Sequence, residues 1–311
     1  MGKLTGLLAL ASMVLMTACQ PSPTPPRPAP APAPNCSQPD VLAGSVSVSD
    51  GVERLVVARG SDPVRRVHPE WLLLEPAFSP DGERVVVTRA TKGDYESAGP
   101  DEVELWIMDL DGSHARALTD GRREVSSSSW SPNGKTILFR EVRDGRWQLA
   151  SIAADGSAKP RALHTEADLE WWPRWSPDGT RISYVRTMDA ADPDATFQLV
   201  MARTDGAHPK VLATFATPAR YVWNPDGHSF TVADGGRLTT VDLSGIHRDL
   251  GVNGTPAGWS ADRKRLYFAD PLGKLRVGTI KDGRLVVGST AKPLRTLPAN
   301  VTLSPKPAAG C

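Results

Sequence analysis

The sequence has no large excess of positive or negative charge and no long runs with helical periodicity. Its 36 basic and 35 acidic residues leave a formal net charge of +1, so the composition shows no electrostatic footprint for nucleic acid or an anionic membrane surface. Long runs with helical periodicity are missing, whereas 27 glycines and 28 prolines supply many turns. These features favour a turn-rich, all-β fold.

The usual sequence signatures of catalysis and metal binding are also missing. There is no Gly-x-Ser-x-Gly motif, because Pro256 stands where its serine would be in residues 254–258, and there is no His-Glu-x-x-His motif. The histidines are scattered without ligand spacing: His68, His114, His164, His208, His228 and His247. The sequence therefore predicts a protein that is not an enzyme and has neither cofactor nor metal site.

Residues 1–18 have the features of a lipoprotein signal peptide. Lys3 is followed by an apolar stretch, residues 4–15, that is too short to span a bilayer comfortably. Residues 16–19, Met-Thr-Ala-Cys, resemble the bacterial lipobox, with methionine where leucine is usual. This resemblance implies that Cys19 is lipidated and becomes the new N-terminus. The alternative is an ordinary secretory signal with an incidental cysteine.

Residues 19–35 form a proline-rich linker between this cysteine and the domain at residues 36–311. Alternating proline and alanine favours extended polyproline II, which reaches about 3.1 Å per residue and cannot form a packed core. The other two of the three cysteines, Cys36 and Cys311, stand at the two ends of the domain. In an oxidising compartment this pair predicts a disulfide, and two free thiols are the alternative.

A short block recurs along the domain and defines a repeat. It reads Phe-Ser-Pro-Asp-Gly or Trp-Ser-Pro-Asp-Gly with small changes, at residues 78–82, 130–134, 175–179, 223–227 and 259–263. The spacings are 52, 45, 48 and 36 residues, close to the length of a four-stranded propeller blade. A β-rich stretch follows each block, at residues 84–88, 136–139, 181–185, 229–232 and 265–268. In the Pro-Asp-Gly turn, proline presets φ, aspartate caps the backbone and glycine accepts positive φ.

These blocks closely resemble the repeat of TolB-like propellers, in which this turn joins the innermost strand of a blade to the second strand. The resemblance implies an all-β, six-bladed β-propeller with four-stranded antiparallel blades. Residues 300–305 resemble an inner strand without a blade, and residues 45–67 hold three strands without an inner one. We therefore expect the N- and C-terminal strands to form one blade that closes the ring. Trp130, Trp175, Trp223 and Trp259 are predicted to pack in the core.

The segments leading into the inner strands suggest a binding face at the channel mouth. Trp171 and Trp172 exceed what the repeat needs, and Arg174, Arg220 and Tyr221 are expected beside them. Tryptophan, tyrosine and arginine dominate binding hot spots, although channel packing is the other explanation for the two tryptophans. Two acidic loops, residues 90–102 and 187–195, are expected on the same face.

The sequence thus predicts an exported lipoprotein of the cell envelope whose propeller binds an envelope protein or peptide. The lipid anchor would hold it to a membrane, with the propeller in the periplasm or at the cell surface. Gln20 is not the aspartate associated with inner-membrane retention, which favours the outer membrane where two membranes exist. The alternatives are an enzyme acting on polysaccharide at the channel mouth, or a module that binds a glycan or small molecule.

Overall fold

The computed structural model describes residues 41–47, 53–59, 65–68, 70–90, 103–163, 169–189, 192, 194–260, 262–288 and 304–305. The predicted signal peptide, the linker and the cysteines Cys19, Cys36 and Cys311 lie outside these ranges. Lipidation and the disulfide therefore stay predictions. Over the described ranges, no helix is long and apolar enough to cross a membrane.

The described residues form twenty-four β-strands arranged in antiparallel four-stranded sheets. The first twelve are β1 (Val41–Ser47), β2 (Glu53–Arg59), β3 (Arg65–Val67), β4 (Leu72–Phe78), β5 (Arg84–Ala90), β6 (Val103–Asp109), β7 (Arg116–Ala117), β8 (Val125–Trp130), β9 (Thr136–Arg143), β10 (Arg146–Ala153), β11 (Arg161–Ala162) and β12 (Leu169–Trp175). The others are β13 (Arg181–Thr187), β14 (Phe197–Arg203), β15 (Lys210–Phe215), β16 (Tyr221–Trp223), β17 (Ser229–Asp234), β18 (Arg237–Asp242), β19 (His247–Asn253), β20 (Thr255–Trp259), β21 (Leu266–Ala269), β22 (Leu275–Lys281), β23 (Arg284–Val287) and β24 (Ser304–Pro305). Five sheets each consist of four consecutive strands, and we number them blade 1 (β4–β7) to blade 5 (β20–β23).

The predicted turn after each inner strand is confirmed. In blade 1 the Gly82 N–H donates to the Ser79 carbonyl at 2.8 Å, and Gly82 has a φ of 64°. The Asp81 carboxylate accepts hydrogen bonds from the Ser79 hydroxyl at 2.5 Å and from the Glu83 N–H at 3.0 Å. The corresponding residue-one-to-residue-four backbone bond closes the turns of the other four blades, at Gly134, Gly179, Gly227 and Arg263. Each turn therefore fixes the register between the first and second strands of its blade.

Apolar side chains fill the spaces between neighbouring blades. The four largest fully buried aromatic side chains all belong to second strands: Phe139 on β9, Tyr184 on β13, Phe230 on β17 and Phe268 on β21. Second strands lie inside their sheets and are covered on both faces, which explains why they carry the largest buried residues. Trp130 and Trp223 are also buried, and Trp175 and Trp259 pack against the apolar clusters of their blades, as core packing predicts.

The prediction of six equivalent blades is wrong, because the structure has five complete blades of the repeating kind. The remaining sheet has the order β24-β1-β2-β3 and combines strands from both ends of the chain. Of its inner strand, predicted over residues 300–305, the structure describes Ser304–Pro305, which pair with Ala43 and Leu42 of β1. Proline offers no N–H to a strand ladder, and these residues lack the aromatic anchor of the repeat.

This terminal sheet nevertheless lies where the blades meet. Strands β1 and β2 contact β4 of blade 1, and the short β24 contacts both β4 and β20 of blade 5. The inner strands of blades 1, 2 and 3 also contact one another in sequence. The inner strands therefore form a common surface around the centre. The segments that lead into these strands lie at the edge of this surface.

Candidate functional site

The segments that lead into the inner strands share an irregularity of the backbone. Bulges interrupt the register of β4, β8, β12 and β20 at residues that stand two or three positions before the aromatic anchor. In the first three strands the bulged residue is not glycine and has a left-handed φ: 48° at Glu75, 52° at Ser127 and 48° at Trp172. Such residues cost about 1–3 kcal/mol each and concentrate at functional sites. We call Glu75, Ser127, Trp172, Arg174 and Arg220 the inner-ring site.

Glu75 links the first two blades across this site. Its carboxylate accepts a hydrogen bond from the Ser127 N–H at 2.5 Å and one from the Ser127 hydroxyl at 3.2 Å. Ser127 itself is buried, as are its neighbours on β8. The acceptor capacity of Glu75 is therefore largely taken by blade 2, and its charge is held in place.

The two predicted tryptophans are both half-buried and pack against the apolar cluster between blades 3 and 4. The Trp171 ring lies 5.6 Å from the Phe197 ring. Trp172 is the bulged residue itself, and the Arg220 guanidinium sits 4.9 Å from the centroid of its ring. Each ring therefore packs on the core and keeps part of its surface accessible.

Tyr221 supports this arrangement from below. Its side chain is only 3% exposed, and its hydroxyl donates to the Trp172 carbonyl at 2.8 Å and hydrogen-bonds the Ser183 hydroxyl at 3.0 Å. Burial raises the pKa of Tyr221, so the phenol stays neutral and able to donate. Tyr221 therefore holds the site together but offers little surface to a partner.

Arg174 and Arg220 supply the positive charge of the inner-ring site. Arg174 is half-buried, and its Nη1 reaches the carbonyls of Ser128 and Pro173 only at 3.4 Å, at the limit of hydrogen bonding. Burial lowers the pKa of Arg174, and the nearby charge of Arg220 lowers it further. A guanidinium keeps its proton in proteins, so both side chains are cationic. Arg220 is exposed.

The structure brings together all five residues predicted for the binding face, four at the surface and Tyr221 beneath them. Sequence reasoning missed Glu75 and Ser127, which are joined across 52 positions of the chain. The repeat was the sequence signal that could have indicated them. Glu75 and Ser127 each stand three residues before the aromatic anchor of their blade, which is also the position of Trp172 and Arg220. Most of the two predicted acidic loops lies outside the described residues. Among the residues that are described, no three His, Cys, Asp or Glu side chains are grouped to hold a metal ion.

Comparisons with known proteins agree with this architecture. A dipeptidyl-peptidase 5 of Porphyromonas endodontalis is 30% identical over 108 residues, which are 35% of this chain and 15% of that protein. The Tol-Pal system protein TolB of Anaeromyxobacter dehalogenans is 33% identical over 146 residues, which are 47% of this chain and 30% of that protein. The chain thus covers well under two thirds of the length of either relative.

Solved structures and family comparison extend the likeness over more of the chain. The crystal structure of TolB from Acinetobacter baumannii superposes with a TM-score of 0.65 at 16% identity, covering 88% of this chain and 68% of that one. At that identity the superposition shows the fold alone. The TolB beta propeller domain family matches residues 67–262, which is more than half of the sequence. The chain therefore belongs to the TolB β-propeller family.

Proposed function

We propose that this chain is a membrane-anchored lipoprotein of the cell envelope whose β-propeller binds a protein or peptide at the inner-ring site. The observation that carries the proposal is the Trp172 ring beneath Arg220, with Arg174 beside them, where the inner strands begin. Aromatic and arginine side chains on a rigid support are the common anchors of protein interfaces. The predicted export signal and the lipobox-like residues before Cys19 support the location in the envelope.

The backbone under these anchors is already ordered in the absence of a partner. Tyr221 holds the Trp172 carbonyl from the neighbouring blade, and the Glu75 carboxylate holds the Ser127 backbone. A surface fixed in this way loses little conformational freedom when it binds. The strained φ angles at the three bulges fit such a site, because neighbouring blades supply the contacts that stabilise them.

The relatives support a protein partner more than a sugar or small molecule. The TolB relative is a protein of the Tol-Pal system by its name, and the dipeptidyl-peptidase relative acts by its name on peptides. The latter also makes peptidase activity a second candidate. The one carboxylate of the inner-ring site, Glu75, is hydrogen-bonded to Ser127, which favours binding over hydrolysis. Release of p-nitroaniline from dipeptidyl p-nitroanilides by the purified chain would favour the peptidase instead.

Photo-crosslinking in intact cells tests the proposed binding. A photoreactive amino acid replaces Thr217, an exposed residue just before Arg220, or Thr180, an exposed residue in the turn at the far end of β12. We expect a defined protein adduct at position 217 that is missing at position 180. Equal adducts at both positions, or none at position 217, would contradict a partner at the inner-ring site.

Metabolic labelling tests the anchor separately. Wild-type protein and a Cys36→Ala variant should both incorporate labelled palmitate, whereas Cys19→Ala should not. The reason is that only the residue after the signal peptide can become the acylated N-terminus. Label retained in Cys19→Ala would show that a residue other than Cys19 carries the lipid.

A further inference from the structure

Within the described part of the chain, Arg174 and Arg220 have no ion-pair partner. Over the residues that the structure describes, no carboxylate oxygen lies within 4.0 Å of either guanidinium, whereas Arg143 pairs with Glu141 at 2.6 Å and Arg276 with Asp270 at 2.8 Å. Among the described residues, the polar contacts of Arg174 are two 3.4 Å approaches to backbone carbonyls. Most of the five N–H donors of its planar fork therefore have no acceptor in this part of the chain.

The two charges also repel each other. The Arg220 guanidinium lies 4.9 Å from the ring of Trp172, which stands two residues before Arg174 on β12. Burial lowers the pKa of Arg174, and the charge of Arg220 also lowers it. Removing a cation from water and placing a like charge beside it both cost free energy. An anion bound between the two guanidinium groups would recover that cost.

Glu75 offsets only part of this positive charge. Its carboxylate attracts Arg174 and raises the pKa of that guanidinium, but this effect is smaller than those of burial and of Arg220. The oxygens of Glu75 also accept the two hydrogen bonds from Ser127. Among the described residues of the inner-ring site, two arginines and one carboxylate leave a net charge of +1. A single carboxylate balances that charge, and its two oxygens match a guanidinium fork.

Two further features make this a built site. The Trp172 ring lies beneath Arg220 and restrains its guanidinium through a cation–π contact of 4.9 Å. Ser128, whose backbone carbonyl Arg174 approaches, is only 3% exposed, and its hydroxyl makes no hydrogen bond within the described part of the chain. An unsatisfied buried hydroxyl is uncommon in folded proteins and indicates a missing polar partner.

We propose that Arg174 and Arg220 form a subsite that binds a carboxylate group of a peptide partner. This inference rests on the proposed function, and it names the chemistry that the inner-ring site recognises. The carboxylate belongs either to the C-terminus of the peptide or to an aspartate or glutamate side chain. Both sources offer the same planar monoanion, and the experiment separates them.

Three immobilised peptide arrays of random sequence serve as probes for the purified full-length chain. The first has free C-termini and no acidic residue, the second has amidated C-termini and one aspartate or glutamate, and the third has amidated C-termini and no acidic residue. We expect binding to the first array, the second or both, and at least about tenfold weaker binding to the third. The array that binds identifies the source of the carboxylate. Equal binding to the third array, or binding to none, would overturn the subsite.

Variants assign the effect to the two arginines. Arg174→Gln and Arg220→Gln should each weaken binding about tenfold or more, while Arg248→Gln, at an exposed position of the outer strand β19, should not. Urea unfolding checks that each variant is folded, and Arg220, being exposed, provides the test even if Arg174→Gln is unstable. Undiminished carboxylate-dependent binding by Arg220→Gln would overturn the proposal.

The crosslinking at Thr217 keeps this test distinct from that of the proposed function. If the Arg174→Gln, Arg220→Gln double variant gives the same adduct in cells as wild type, the carboxylate subsite is wrong and the binding propeller remains. If wild type gives no adduct, the proposed function itself fails.

Discussion

The Tyr221 hydroxyl donates a 2.8 Å hydrogen bond to the backbone carbonyl of Trp172, a residue in the preceding blade whose φ is 48°. This contact joins blade 4 to the bulge of blade 3 at the point where the inner-ring site is most strained. The same phenol hydrogen-bonds Ser183 at 3.0 Å, so a single side chain satisfies two polar groups of the neighbouring sheet. The geometry of Trp172 therefore depends on the residue that follows Arg220.

Replacing Tyr221 with phenylalanine should destabilise the fold by about 1–3 kcal/mol, because the buried Trp172 carbonyl and Ser183 hydroxyl lose their partner. Urea unfolding of Tyr221→Phe, Ser183→Ala and the double variant measures the coupling between the two side chains. An unchanged urea midpoint in Tyr221→Phe would show that the hydrogen bonds contribute nothing to stability.

Trp171→Ala and Trp172→Ala should weaken partner binding by at least about 2 kcal/mol, roughly thirtyfold in affinity, if the rings are interface anchors. Because both rings are half-buried, their loss of stability should be smaller than the roughly 3–5 kcal/mol expected for Phe230→Ala, whose side chain is 0% exposed. Crosslinking yield at Thr217 and urea unfolding measure the two effects. Large stability losses with undiminished crosslinking would assign both tryptophans to packing.

The turn of blade 3 should make the stability of the protein depend on pH under acidic conditions. A hydrogen bond from the Ser176 hydroxyl, at 2.5 Å, contributes most to lowering the pKa of Asp178 from 3.8 to about 2. Because the folded-state pKa lies below that of the unfolded chain, this carboxylate stabilises the fold above pH 3.8, and the contribution disappears as pH falls through about 2.

Asp178→Asn isolates this effect, because Asn133 already occupies the equivalent position of blade 2 and accepts a hydrogen bond from Ser131 at 2.8 Å. We expect the unfolding midpoint in urea to fall less for the variant than for wild type between about pH 5 and about pH 2.5. Identical acid dependence of the two proteins would show that Asp178 has the same pKa in both states.

Arg263 stands where the other repeats have glycine, and its φ of 57° is left-handed. Arg263→Gly should therefore stabilise the fold by up to about 1 kcal/mol. The matched change is Gly179→Ala. A Cβ there would lie 3.5 Å from the nearest Pro132 atom, an ordinary van der Waals contact, but the φ of 71° is left-handed. This change should cost about 1 kcal/mol through conformation alone. Thermal unfolding of both variants checks the signs, and a destabilised Arg263→Gly would contradict the reason given.

The predicted blade strands match the structure closely where a turn motif precedes them. Residues 136–139 and 181–185 were expected to be strands and lie within β9 and β13, which continue to Arg143 and Thr187. The Ser-Pro-Asp-Gly block specifies its turn through local hydrogen bonds and dihedral preferences, which do not depend on distant residues. The terminal sheet lacks this block, and there the prediction of an equivalent sixth blade was wrong.

By itself, then, the sequence determined the all-β repeat, its turns and the position of Trp172 and Arg220 three residues before their aromatic anchors. Only the tertiary structure decided that Glu75 reaches Ser127, that Tyr221 lies beneath Trp172, and that Arg220 lies over the Trp172 ring. The physical reason is that these contacts join different blades. Their geometry depends on how twisted sheets pack around the centre and on bulges that neighbouring blades stabilise, and no local pattern of residues encodes either.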